Sequence, residues 1–331
     1  MEKVKKKRNI KKIITLVVVT IVVLIGTTTA IIGNYLVDFA LVNQPGKDVT
    51  PSAETNKPED ENSRIIDANK TSEDQLVEQW ENEVNIDIVD ITSSDGLKLV
   101  ADQVVNTMDS HDWVILVHGY QANRQAMRGL ASKYYEQGYN ILMPDLRAHG
   151  DSEGEYIGMG WPDRLDLLQW IDHIIDMDDE CSIVLHGISM GAATVMMTSG
   201  EVLPHNVKVI IEDCGYTSVW DIFSDELSAL FGLPEFPVLY MADLVATIRV
   251  GYEFKQASAL GQVKKSTVPM LFIHGSDDQF VFTEMIEPLY EACPTSKAKL
   301  IIDGAGHGEA RLRDPQLYYD TVFEFIDSNM A

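Results

Sequence analysis

Ser182-Ile183-Val184-Leu185-His186-Gly187-Ile188-Ser189-Met190-Gly191-Ala192-Ala193 is the stretch on which the reading of this chain turns. A short apolar run rich in β-branched residues reads as a buried parallel strand. It runs into Gly-x-Ser-x-Gly, and Ala192 to Met197 then continue as a helix-forming segment. A strand that turns sharply into a helix holds the serine in a strained conformation, its hydroxyl raised above the sheet. Gly187 and Gly191 suit such a turn, because strand and helix approach so closely that a Cβ at either position would collide. Met190 opens the helix, so its backbone N–H can donate to negative charge developing on an oxygen. A glycine-rich turn with an idle serine would carry the same letters, and the rest of the chain has to decide between the two.

The bounds are wide. A chain of 331 residues could hold two domains, yet α/β folds commonly use 200–250 residues as one. An apolar content of 45% suffices for a large core. The net charge of −25 hides an asymmetry. Residues 1–12 hold seven of the 26 Lys and Arg and one of the 51 acidic residues, so the remainder carries 19 basic against 50 acidic groups, a net of −31. Such a body repels nucleic acid and anionic surfaces, and no nucleic-acid partner is expected. Cys181, Cys214 and Cys293 are too few and too scattered for a disulfide framework or a zinc site. Cys181 and Cys214 lie beside expected core strands, where a thiol acts as a small hydrophobe.

The basic head is followed by Ile13 to Ile32, twenty residues without a charge, and the next charge is Asp38. That is long enough to span a bilayer, and the positive charges before it place the N-terminus in the cytoplasm and the body outside. A cleaved signal peptide is the rival, with Thr28-Thr29-Ala30 as a loose cleavage site, but the apolar run continues past it. The expected organisation is therefore a cytoplasmic head (1–12), a single-pass signal anchor at the cell membrane (13–37), a flexible spacer (38–75) and an extracytoplasmic body (76–331). The spacer is expected because Pro, Ser, Thr, Asn, Glu and Lys dominate there and cannot bury enough surface to fold.

Within the body, 85–92 and 97–105 alternate apolar and polar residues around Ser93-Ser94-Asp95-Gly96, which predicts an antiparallel hairpin. Apolar strands follow at 113–117, 139–143, 182–188, 207–211, 270–273 and 299–302. Helical patterns lie between several of them, near 125–137, 163–175 and 315–328. Strands alternating with helices predict a doubly wound, mostly parallel α/β sheet, whose ligands bind beyond the carboxyl ends of the strands. Between 217 and 266 the alternation breaks. Phe223, Leu227, Leu230 and Phe231 share one helical face, and Leu239, Leu244, Val245 and Ile248 suggest a second helix. This insertion reads as a small helical cap, whose faces either pack on the body or line a pocket.

A serine hydroxyl is a weak nucleophile and needs a base, itself oriented by a carboxylate. In sheets of this class the order along the chain is Ser, then Asp or Glu, then His. Asp278 follows the next-to-last strand, with Asp277 and Asp213 as rival acids, and His307 follows the last strand in the loop Gly304-Ala305-Gly306-His307-Gly308. His118, His186 and His274 precede or follow strand ends and read as structural. The second donor to a developing oxyanion is expected from the loop after the first parallel strand, through the backbone N–H of Tyr120 or its phenol.

The stretch from about Asp87 to the C-terminus resembles the α/β-hydrolase superfamily, and within it the bacterial lysophospholipase-like and serine-aminopeptidase-like hydrolases. The residues that carry the resemblance are His118-Gly119-Tyr120, Asp145-Leu146-Arg147-Ala148-His149-Gly150-Asp151-Ser152, Gly187-Ile188-Ser189-Met190-Gly191, His274-Gly275-Ser276-Asp277-Asp278 and Gly304-Ala305-Gly306-His307. It implies an α/β-hydrolase fold, with Asp278 as the acid of a Ser189–His307–Asp278 triad. Ala192 and Ala148 stand where relatives commonly carry glycine. The expected activity is cofactor-free hydrolysis of an acyl ester by a membrane-anchored enzyme, with Met190 and Tyr120 N–H groups on the oxyanion. Peptide or amide cleavage is the alternative within the fold, and a catalytically idle surface-binding protein is the alternative outside it.

Overall fold

The computed structural model describes residues 2–43 and 60–330, with the side chains of 2–10 left aside. Two N-terminal helices, α1 (Glu2–Leu41) and α2 (Glu61–Glu83), precede the hairpin β1 (Asp87–Thr92) and β2 (Lys98–Val104). Then come β3 (Asp112–Val117), α3 (Arg128–Glu136), β4 (Asn140–Pro144), α4 (Asp163–Met177), β5 (Ser182–Ile188), α5 (Met190–Thr198) and β6 (Val207–Asp213). The cap is α6 (Val219–Phe231), α7 (Glu235–Arg249) and α8 (Ala259–Val263). The chain closes with β7 (Met270–Gly275), α9 (Ile286–Ala292), β8 (Lys297–Ile302), α10 (Ala310–Arg313) and α11 (Pro315–Met330).

The strands form one eight-stranded sheet in the order β1-β2-β4-β3-β5-β6-β7-β8. β1–β2 and β2–β4 pair antiparallel and every other neighbour is parallel. The pattern follows from burial. β3, β4, β5 and β7 are buried along almost their whole length because helices cover both faces, whereas β1 and β8 at the edges mix exposed with half-buried positions. The register brings Val117 beside Gly187, Gly187 beside Glu212, Asp213 beside Ile273 and Gly275 beside Ile302, so five strands end along one edge. The loop that follows β4 is braced from below by Arg124. Buried itself, Arg124 donates to Asp102 at 2.7 Å and to Asp151 at 2.7 Å, and it also pairs with Asp145.

Two stretches differ from the sequence expectation. The spacer expected over 38–75 falls partly on residues 44–59, outside the described residues, but 38–41 are the last turn of α1 and 61–75 form the first two-thirds of α2. Asp60 caps this helix, accepting from Ser63 N at 2.8 Å. Its packed face runs through Asn62, Ile65, Asn69, Glu73, Val77 and Trp80, a helical repeat in which half the members are polar. Asn69 donates to Leu312 O at 2.8 Å, Glu73 pairs with Arg311, and Trp80 is buried against Tyr135. A face that docks through amides and an ion pair looks like spacer by composition.

The second difference is at the end of α1. Residues 11–41 are one stretch long and apolar enough to cross a membrane, and its first part stands clear of the body. From about residue 29 a stripe through Ile32, Gly33, Leu36, Val37, Ala40 and Leu41 turns inward instead. A Cβ at Gly33 would lie 2.6 Å from Met241 O, so only glycine lets α1 lie this close to α7. Arg249 at the end of α7 donates to Asn34 Oδ1 and to Asp38 Oδ1, both at 2.7 Å. Ile157 N donates to Leu41 O at 2.7 Å, which pins the last turn to the body.

Two fully buried histidines give the core a pH dependence. His186 on β5 lies between Tyr134 Oη and Tyr318 Oη, each at 3.0 Å, and His118 Nε2 accepts from Leu146 N at 3.0 Å. Burial, reinforced by the charge of His149 for His118 and of Arg311 for His186, pushes both down to about 3. A histidine held neutral in the folded state takes up its proton only on unfolding. Stability is therefore complete above pH 6.5 and is lost as pH falls from 6.5 towards 3. From pH 6.5 to pH 5 each contributes a loss of about 2 kcal/mol. His186→Gln should flatten that slope by about half, read from urea unfolding at pH 7, 6 and 5. An unchanged slope would mean that His186 keeps its proton in the fold.

Candidate active site

The turn between β5 and α5 holds Ser189 at φ 57°, ψ −118°, a conformation that costs a side-chain-bearing residue on the order of 1–3 kcal/mol. The surroundings enforce it. A Cβ on Gly187 would overlap the carbonyl of Gly191, and one on Gly191 would overlap the carbonyl of Val117 on β3. Ser189 N donates to Asp213 O at 2.8 Å, tying the turn to the end of β6. The side chain stands at the carboxyl edge of the sheet, 7% exposed.

His307 reaches this serine from the loop after β8. Its Nε2 lies 2.8 Å from Ser189 Oγ and its Nδ1 lies 2.8 Å from Asp278 Oδ2. Of the three acids considered from sequence, Asp278 is the one bonded to His307. Asp277 is exposed and bonded to Ser276, and Asp213 is buried and accepts from Tyr318 Oη at 2.9 Å. Asp278 Oδ1 accepts from the backbone N–H groups of Phe280 and Val281, both at 2.9 Å, which fixes the plane of the carboxylate. Burial alone would raise this carboxyl, but hydrogen bonds from His274 and His307, with their charges, outweigh it and hold it well below the usual range. The shift favours the ionised carboxylate, as an imidazole partner requires.

His274, expected to be a satisfied structural histidine, is more than that. Its Nε2 lies 2.8 Å from Val281 O and 3.2 Å from Asp278 Oδ2, while its buried Nδ1 has no hydrogen-bond partner. Cys214, Asp278 and His307 offer ligand atoms within 4.8 Å of one another, the one such group of three among the described residues. Both ring nitrogens of His307 already face Ser189 and Asp278, and burial drives the Cys214 thiol well above its usual value, so it stays protonated. The group suits a hydrogen-bonded row better than a cation.

Met190 is the first residue of α5, so its N–H is among those a helix leaves without an internal partner. Gly119 passes so near the serine that an added Cβ would lie 3.3 Å from Ser189 Cβ, which brings the Gly119–Tyr120 backbone beside Oγ. The phenol of Tyr120 points away and donates to Ala40 O on α1 at 2.7 Å. Of the two groups considered on Tyr120, the phenol is thus engaged elsewhere.

Two clefts meet at Ser189. The first is a narrow cavity open to solvent, lined almost wholly by apolar side chains. Phe223, Leu227, Leu230 and Phe231, the stripe read on α6, all stand on its wall. So do Leu36, Val37, Phe39, Ala40 and Leu41 from α1. The second cleft runs past Gly119, Ala126, Met127, His307 and Arg311 on the other side. Sequence reasoning missed the contribution of α1 and that of Arg311. Arg311 is nearly buried, pairs with Glu73 of α2 and donates to Gly308 O at 3.1 Å, bracing the His307 loop. A signal for α1 was present in Gly33, Asn34 and Asp38, small and polar residues at helical spacing in an otherwise apolar segment.

Comparison with known proteins agrees with this architecture. Residues 114–321 match the alpha/beta hydrolase family. The chain is 28% identical over 221 residues to the uncharacterised protein YqkD of Bacillus subtilis (strain 168), a match that covers 66% of this chain and 72% of that one. Among solved structures, the Pyrococcus furiosus esterase Pf2001 superposes with a TM-score of 0.62 at 25% identity, covering 75% of this chain and 94% of its own. A putative dipeptidyl aminopeptidase IV from Bacteroides ovatus shares the fold, with a TM-score of 0.57 at 15% identity, over 74% of this chain and 36% of its own.

Proposed function

The chain belongs to the alpha/beta hydrolase family, and on that premise we propose that it is a serine hydrolase of carboxylic esters, held at the cell membrane by α1 with its body on the extracytoplasmic side. The observation that carries the reading is the row Asp278–His307–Ser189, closed by two contacts of 2.8 Å and opening directly onto an apolar cavity. In the first half-reaction Ser189 Oγ bonds to the acyl carbon as its proton passes to His307 Nε2. The C–O bond to the alcohol then breaks, and the same proton leaves on the alcohol oxygen. In the second, water replaces the alcohol: its oxygen bonds to the acyl carbon, its proton goes to His307 and on to Ser189 Oγ, and the carboxylic acid departs. Met190 N–H and Tyr120 N–H hold the carbonyl oxygen while it carries negative charge. Asp278 keeps the imidazole in the tautomer that can accept at Nε2. Support for an ester comes from the apolar cavity, which suits an acyl chain, and from the likeness to an archaeal esterase. The cleft past Arg311 leaves room for the alcohol. Support for the anchor is the uncharged run behind seven basic residues. Full-length protein in the soluble fraction of lysed cells would rule the anchor out.

The test is a panel of p-nitrophenyl esters of graded chain length beside aminoacyl anilides. Esters should be turned over and anilides spared. The reverse would make the protein an amidase. Because all four residues of the α6 stripe stand on the cavity wall, Phe223→Ala or Leu227→Ala should change the ratio of kcat/KM for octanoate and butyrate esters. Each methylene that loses its contact is worth about 1–3 kcal/mol in transition-state binding, a several-fold shift or more. A constant ratio accompanied by a lower melting temperature would reduce the stripe to packing.

A further inference from the structure

The outer face of the cap bears an apolar stripe left largely exposed among the described residues. Tyr240, Leu244 and Ile248 recur every four residues along α7, and Phe236, at the kink where α7 opens, lies 5.7 Å from the Tyr240 ring; the four are 72 (Phe236), 44, 55 and 76% exposed. They lie beside the side of α7 that receives α1 through Met241 and Val245. On α1 the exposed apolar side chains run from Ile13 to Ile25 and resume, after Gly26-Thr27-Thr28-Thr29-Ala30, at Ile31 and Tyr35. The candidate membrane span and the cap thus each carry exposed apolar side chains next to the α1–α7 contact, and Leu36, Val37, Ala40 and Leu41 of the same helix line the cavity.

The cavity reaches the surface at the same place. Its part-exposed wall residues include Leu36, Phe39 and Ala40 of α1 and Phe223, Leu230 and Phe231 of α6, with the rings of Phe39 and Phe231 5.2 Å apart, while Tyr120 and Phe280 are part-exposed towards the second cleft. The seam between α1 and the cap is thus one part-exposed side of the cavity. Its depth follows from helix geometry. Twenty residues from Ile13 to Ile32 span about 30 Å, the thickness of the hydrocarbon layer, and Leu36 comes about 6 Å later. That level is the zone where the ester carbonyls of a lipid lie between hydrocarbon and headgroup, and where an exposed aromatic such as Tyr35 is at home.

Resting on the reading of a membrane-anchored ester hydrolase, we propose that the substrate is an acyl ester of a bilayer lipid, whose chain slides from the leaflet around α1 through the seam into the cavity. The exposed stripe of α7 lies on that leaflet. The anchor is part of the acyl-binding site, supplying five of its wall residues. Water is the co-reactant; the products are a fatty acid and the lipid alcohol.

The experiment uses the full-length protein reconstituted in phosphatidylcholine vesicles that also contain dioleoylglycerol, with oleate release as the readout and p-nitrophenyl butyrate in the surrounding solution as a second substrate. Oleate should be released from the protein's own vesicles and not from separate vesicles added later. Phe236→Ser, Leu244→Ser and Ile248→Ser combined should cut oleate release about tenfold or more while butyrate hydrolysis holds within about twofold, because the stripe lies outside the cavity wall. Tyr240 is kept, since its ring packs on Trp220 at 4.8 Å. Equal loss of both activities, equal release from both vesicle populations, or cross-linking that shows the stripe joining two copies would each overturn the inference. Butyrate turnover with no oleate release would overturn it and leave the hydrolase standing. Turnover of neither would remove the hydrolase reading itself.

Discussion

Ser189→Ala should abolish labelling by a fluorophosphonate probe and lower ester turnover by on the order of 10⁴-fold or more, with a melting curve close to that of the native protein. The change removes one oxygen and leaves the backbone strain in place, since the turn is imposed by the close approaches at Gly187 and Gly191 rather than by the serine side chain. His307 Nε2 loses the hydroxyl that donates to it but Nδ1 keeps Asp278, so the loop after β8 has no reason to move. Turnover that remains should come from the oxyanion donors and the cavity alone. Labelling that persists in the variant would place the nucleophile elsewhere and end the proposal for this serine.

Asp278→Asn should cost on the order of 10³–10⁴-fold in turnover, and Asp277→Asn should cost little. An amide at 278 still accepts from the N–H groups of Phe280 and Val281 through its oxygen, which turns its NH₂ towards His307. Nδ1 must then accept, so Nε2 carries the proton and cannot take one from Ser189. The exposed carboxylate of Asp277 has only Ser276 as its side-chain partner, and its loss should be felt in solubility rather than rate. The same exchange should change folding stability through His274, whose Nε2 lies 3.2 Å from the carboxylate. Reversed kinetic effects at 277 and 278 would shift the acid by one residue.

The sheet was legible in the sequence because burial writes itself into composition. Strands covered on both faces read as runs such as Ile183–Leu185 and Met270–Ile273, and each of these leads into His-Gly at the edge where the site forms. The relation of Ser189, Asp278 and His307 was legible for a related reason, since chain order in a doubly wound sheet orders the loops along one edge. What was hidden is contact through polar or membrane-like surface. The packed face of α2 is Asn62, Asn69 and Glu73 as much as Ile65 and Trp80, so its composition resembles that of a loop. The inward stripe of α1 is apolar on an apolar background, so no periodicity marks where the helix stops facing outward and starts lining a cavity. The orphaned Nδ1 of His274 was hidden as well, because a residue type at a strand end does not tell how many partners it finds.

The two flanks of segment 44–59 are both fastened to the same body. On one side Asn43 donates to Ala148 O at 2.6 Å and Leu41 is bonded to Ile157; on the other, Asn69 holds Leu312 and Glu73 holds Arg311. The connection is thus a closed handle between two fixed points, and the catalytic body does not swing on it. A protease that cuts within 44–59 leaves the contacts of α1 in place, because α1 remains clasped by α7 through Gly33, Arg249 and the cavity wall. Nicked protein should therefore stay with the membrane through washing and leave it only in detergent, as two fragments that travel together. Shedding of the enzyme into the medium would require prising out a helix, not cutting a string.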